Sequence, residues 1–153
     1  MKKFIKFIIG VLFFLIVGDA YAACTVAATG VNFGSYDVFV ITPLSSTGSI
    51  TVTCDLVPPA DVTMSIGTSP NSGVMNPRQM KQLTGTDLLN YNLFTDATRT
   101  SIWGDGTGGT TTVFLKNVKK NKPVTVTVYG SIPAGQNVSV GSYSDILTVT
   151  IIW

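Results

Sequence analysis

Histidine and glutamate are both absent from this 153-residue sequence, and only two cysteines occur in it. Without His, Glu or a spare thiol, general acid–base or nucleophilic chemistry would rest on Asp, Lys or Tyr alone. No Ser-Lys or paired-Asp constellation stands out, so an enzymatic role is not expected. The same gaps argue against a metal centre, since zinc sites draw on several Cys or His and calcium loops close on a Glu. No cofactor is expected either. Only 12% of residues are charged, so the surface must be largely Ser, Thr, Asn and Gly. The run Lys116, Lys119, Lys120 and Lys122 reads as a solvated hairpin loop, and nothing here attracts nucleic acid.

What is present begins with an export-like leader. Met1 to Ala22 has a basic start (Lys2, Lys3, Lys6), an apolar stretch from Phe7 to Val17 and a small-x-small site at Ala20-Tyr21-Ala22, the pattern of a cleavable signal. The stretch is too short for a membrane-spanning helix, which needs roughly 20 residues. A lipoprotein signal would also set a cysteine close behind the leader, as Cys24 is here, but Tyr21 stands where that motif wants an aliphatic residue. Cutting between Ala22 and Ala23 leaves residues 23–153, enough for one domain with a core. Seven basic and seven acidic residues then remain, a net charge of zero.

Two cysteines in an exported chain suggest one disulfide, Cys24 to Cys54. Cys24 shares a strand face with Val26 and Ala28, and Cys54 with Ile50 and Val52, so both sulfurs can enter one core. Period-two alternation recurs at Ile50–Cys54, Val62–Ile66, Leu89–Leu93 and Val124–Val128, with turn clusters between. About six strand regions result, one short of the seven of an immunoglobulin-type sandwich. The last of them, Tyr143 to Trp153, sets Tyr143, Leu147, Val149, Ile151 and Trp153 on one face and runs to the C-terminus without a further strand. A sandwich lacking its seventh strand leaves an open apolar groove and an unpaired edge. Trp103-Gly-Asp-Gly106 reads as a turn in preference to an aromatic ligand platform. The segment Val74 to Leu83 is the least strand-like, with Met75, Met80 and Leu83 as a candidate adhesive loop or as cover over the open end.

The ordered motifs Val31-Asn-Phe-Gly-Ser-Tyr-Asp37, Ile50-Thr-Val-Thr-Cys54, Leu89-Asn-Tyr-Asn-Leu-Phe-Thr-Asp96, Ile102-Trp-Gly-Asp105, Val128-Tyr-Gly-Ser-Ile-Pro-Ala-Gly-Gln136 and Gly141-Ser-Tyr-Ser-Asp-Ile-Leu-Thr-Val-Thr150 cover nearly the whole chain after its leader. In them the sequence resembles the spore coat U domain family, which includes subunits of archaic chaperone–usher pili. The resemblance implies an all-β, incomplete immunoglobulin-like sandwich of six strands, lacking the last and completed by a donor strand from a partner. The implied partners are a periplasmic chaperone, an outer-membrane usher and a neighbouring subunit. The implied course is export to the periplasm, then a surface pilus serving adhesion and biofilm formation. Tyr143 to Trp153 would wall the acceptor groove, with the Trp153 carboxylate anchored in the chaperone's basic cleft. Family members that build fibres carry a donor segment before the first cysteine, and the predicted cleavage leaves only Ala23 there. A tip or terminal subunit is therefore expected. The alternatives are a free-standing carbohydrate-binding sandwich, which would close its own sheet edges, or a spore or cyst coat protein.

Overall fold

Threonine and valine alternate through most of the strands, and β-branched residues suit a pleated surface with one face buried. In a computed structural model of the chain, which describes residues 23–153, these segments make a helix-free pair of antiparallel sheets. The strands are β1 (Cys24–Thr29), β2 (Leu44–Cys54), β3 (Ala60–Ile66), β4 (Arg78–Gln82), β5 (Leu88–Phe94), β6 (Val113–Val118), β7 (Val124–Ile132), β8 (Tyr143–Ser144) and β9 (Val149–Ile152). One sheet has the order β1-β2-β7-β5-β4-β8 and the other β6-β3-β9. The leader and the Ala22 side of the proposed cleavage site lie outside the described residues.

Where the sequence suggests about six strand regions, the described residues form nine strands, and each difference has a physical cause. β4 lies in the segment with the weakest strand signal. Its inward positions are Arg78, Met80 and Gln82, so two polar side chains stand where alternation would need apolar ones. β6 begins Val-Phe-Leu and pairs with β3 across a bulge between Ala60 and Val62, which breaks its period. The expected continuous strand from Tyr143 to Trp153 is split. Its start, β8, pairs with β4 in the larger sheet, and its end, β9, pairs with β3 in the smaller one. The chain crosses between the sheets at Asp145–Thr148, and β9 lies at an edge, with a partner on one side among the described residues.

The core between the sheets holds Ile50, Val52, Val62, Met64, Ile66, Leu89, Leu93, Val128 and Ile132, closed from one side by fully buried Trp103. The indole N–H of Trp103 donates to the Met64 carbonyl at 3.2 Å. The Gly104–Gly109 stretch that follows is a turn region, with the Asp105 carboxylate accepting from the Thr107 amide at 2.8 Å. Arg78 is also fully buried, and it ties the two sheets together. Its guanidinium donates to the carbonyls of Ile66, Gly67 and Trp103 and to the Asn92 side chain, over 2.8–3.1 Å. Burial lowers its pKa, opposed by nearby Tyr91 and Asp145. A buried cation is tolerable here because its donors are met by oxygen acceptors.

Cys24 and Cys54 are bonded, directly opposite one another in the β1–β2 ladder. The bridge closes a loop of 30 residues, for which the chain-entropy account gives about 3–4 kcal/mol. The double variant Cys24→Ala, Cys54→Ala, carrying a fused completing strand, is expected to lose that amount in urea denaturation. An unchanged unfolding free energy would show that the bridge adds nothing to the β1 ladder.

Candidate functional site

After Thr29 the chain leaves the β1 edge and dips between the sheets. Two inward-facing glycines make room for it. A Cβ on Gly130 of β7 would lie 2.7 Å from both Val31 and Phe33, and one on Gly48 of β2 would lie 2.5 Å from the Thr29 carbonyl oxygen. Val31 and Phe33 therefore seat their side chains against the larger sheet, and the Phe33 ring meets Tyr91 edge-to-face at 6.1 Å between centroids. Among the described residues, the backbone N–H and C=O groups of Val31 and Phe33 have no hydrogen-bond partner.

Opposite this segment stands the crossing stretch and β9. Leu147, Val149 and Ile151 point inward and are half-buried, while Thr148, Thr150 and Ile152 point out. Between the two walls lies a cleft of about 320 Å³, floored by Ile50, Leu93 and Val128, with Met80 and Tyr143 at one end. Its walls are two stretches of backbone with an unused hydrogen-bonding side, β9 and Gly30–Phe33. The cleft has the lining and the edges that an added strand requires.

The expected groove residues divide. Tyr143, Leu147 and Val149 line the cleft. Ile151 faces inward farther along β9, and Trp153 is half-exposed beyond the strand's end. Met75, Met80 and Leu83 form no common surface: Met75 packs at Gly104, Met80 lines the cleft and Leu83 is exposed.

Sequence reasoning overlooked the opposite wall and the polar anchor. Val31 and Phe33 were legible only as part of a motif, because their strand-like backbone lacks a partner. Asp145 interrupts the apolar face of the last segment, and its carboxylate holds the crossing in place. It accepts from the Tyr91 hydroxyl at 2.7 Å and from Asn71 Nδ2 at 3.0 Å, and Asn71 Nδ2 also donates to the Gln79 carbonyl at 2.9 Å.

The fold and the cleft define a class: a β-sandwich with one open, apolar side. Sequence comparison sharpens this, for the profile of the Spore Coat Protein U domain matches residues 13–150, and the chain belongs to that family. Protein U of Myxococcus xanthus is 39% identical over 144 residues, covering 88% of this chain and 78% of that protein. Among solved structures, a chain of the CsuC–CsuE chaperone–tip adhesion subunit pre-assembly complex, from the archaic chaperone–usher Csu pili of Acinetobacter baumannii, shares the fold. The TM-score is 0.55 at 21% identity over 87% of this chain, which spans 40% of that one. The minor tip subunit HdaB of the E. coli Hda pilus aligns over 84% of this chain and 79% of its own at 13% identity, with a TM-score of 0.43.

Burial pushes the Tyr91 hydroxyl well above the usual phenol range, and the hydrogen bond and charge of Asp145 push it further, against a smaller opposing effect of Arg78. The unfolded chain ionises this group near pH 10 and the folded chain does not. Its contribution to stability is therefore complete below about pH 10 and falls by about 1.4 kcal/mol per pH unit above it. Tyr91→Phe in the strand-completed protein should flatten the alkaline decline in unfolding free energy. An identical slope in both proteins would refute the coupling.

Proposed function

We propose that this chain is a secreted structural subunit of an archaic chaperone–usher pilus, assembled by donor-strand complementation. One observation carries the reading: the free edge of β9 faces the unpaired Val31–Phe33 backbone across an apolar cleft. A strand laid between them would pair with both walls while its alternate side chains filled the cleft. Family membership and the fold shared with a chain of a chaperone–subunit complex support the same reading. In it, residues 1–22 are a signal removed between Ala22 and Ala23. A periplasmic chaperone fills the cleft first, an outer-membrane usher exchanges it, and a neighbouring subunit's segment fills it in the fibre.

The state of β1 supports a terminal place in the fibre. That strand is paired with β2 along its whole length and bonded through Cys24 to Cys54, so it is not free to be donated. A β1 held in this way supports the reading of a tip or terminal subunit. For an adhesive role in biofilm formation, exposed Ile41 and Leu83 are better placed than Met75 or Met80.

Expressed alone in a periplasm, the protein should aggregate or be degraded, and co-expression with its cognate chaperone should give a soluble one-to-one complex. A stable monomer recovered without a chaperone or an added strand would overturn the assembly reading. Immunogold labelling should fall at fibre ends; labelling along whole fibres would remove the terminal placement and leave the strand-accepting role intact.

A further inference from the structure

Beyond Tyr143 lies a second cavity of about 790 Å³, and Val31, Phe33, Met80 and Tyr143 line both spaces, so the two adjoin. Buried Leu89 and Ile132 and half-buried Val138 make an apolar floor. Gly34–Phe39 forms one wall and Ser139–Ser142 the other.

Both walls are fastened to the body of the molecule. The Tyr36 hydroxyl donates to the Pro133 carbonyl at 3.0 Å and accepts from the Gln136 amide at 2.8 Å. The Tyr143 hydroxyl donates to the Ser139 carbonyl at 2.8 Å, Gln82 Nε2 donates to the Val140 carbonyl at 3.0 Å, and the Ser139 amide donates to the Asp87 carboxylate at 2.7 Å. At the rim, Phe39 and Val140 stand almost wholly in solvent. A fixed apolar trough edged by exposed apolar side chains is the form of a surface that gets covered.

The direction of β9 says what could cover it. β9 runs from Val149, opposite Ile66, to Ile152, opposite Thr63, and so away from the second cavity. A strand laid antiparallel to β9 starts near Trp153 and heads toward Tyr143. We infer that this strand runs on past Tyr143 and seats a large apolar side chain in the second cavity, beneath Phe39 and Val140. The inference rests on the strand-accepting reading of the first cleft and adds a length and a side-chain requirement to the donor. Spanning the stretch from Trp153 to Tyr143 takes about ten residues at about 3.3 Å each, and four more reach about 13 Å farther.

The test joins a donor to Trp153 through a short turn, so that it returns antiparallel to β9. One version carries ten residues of alternating threonine and valine, the other the same ten followed by four that include one phenylalanine. The short donor should give a folded monomer with a cooperative thermal transition, and the long donor should raise its midpoint by about 5 °C. Replacing that phenylalanine with serine should remove the gain. So should Ser35→Trp with Ser142→Trp, two exposed residues lining the second cavity, while the short-donor protein keeps its midpoint with the same pair. A folded short-donor protein with no gain from the longer donor, or a gain that survives both changes, overturns the second subsite and leaves the first cleft standing. Failure of both donors to give a folded monomer overturns both readings.

Discussion

Among the described residues, two stretches of backbone lack a partner, and the two sheets are arranged around them. A strand edge inside an apolar cleft is costly, because each unmet amide or carbonyl forfeits a hydrogen bond that water would supply elsewhere. Here two such stretches, β9 and Gly30–Phe33, face one another with apolar side chains between them. The other edges are managed differently. β8 has two residues. β6 is bulged, carries Lys116, leads into Lys119, Lys120 and Lys122, and has Asn117 at a φ of 58° with its amide held by Asp61. Short length, bulges and lysines are the usual means of keeping an edge from pairing. β1 and β9 carry no charged residue at all, and they border the cleft.

Much of this could be read before any coordinates. β2, β3, β5 and β7 were legible because each presents an apolar face to the core and a Thr, Ser or Asn face elsewhere, and the cysteine pair was legible from compartment and parity. β4 was not, because Arg78 and Gln82 occupy its inward positions. Arg78 sits inside only because the carbonyls of Ile66, Gly67 and Trp103, distant in sequence, converge on it. The split of the last segment was hidden for a similar reason. Its alternation continues through Leu147, and only Asp145, held by Tyr91 and Asn71, marks where the chain changes sheets. A period of two reports which way side chains point and says nothing of which sheet receives them.

The opposite wall of the cleft was the least legible part. Val31 and Phe33 lie beyond the end of the β1 ladder, so no strand pattern surrounds them. Their position depends on Gly48 and Gly130, two residues on other strands that leave room by lacking side chains. A single sequence shows a glycine within a strand as a weakness. The structure turns it into a seat for a neighbouring segment.

The cleft could in principle close on itself, and three features oppose that collapse. Gly48 and Gly130 let Val31 and Phe33 sink against the larger sheet and away from β9. The Arg78 guanidinium spans from β4 to Ile66 and Gly67 at the end of β3, fixing the distance between sheets beside the cleft. Asp145, tethered through Tyr91 and Asn71, sets where the crossing begins. In the proposed assembly an arriving strand would supply the pairing that both walls lack, so its binding would also help to hold the acceptor folded. In that reading, different occupants that share apolar alternation and a free backbone edge would meet the same two walls, which would let one strand replace another. A cleft that collapsed when empty would hold its first occupant more selectively and would have to be reopened for the next.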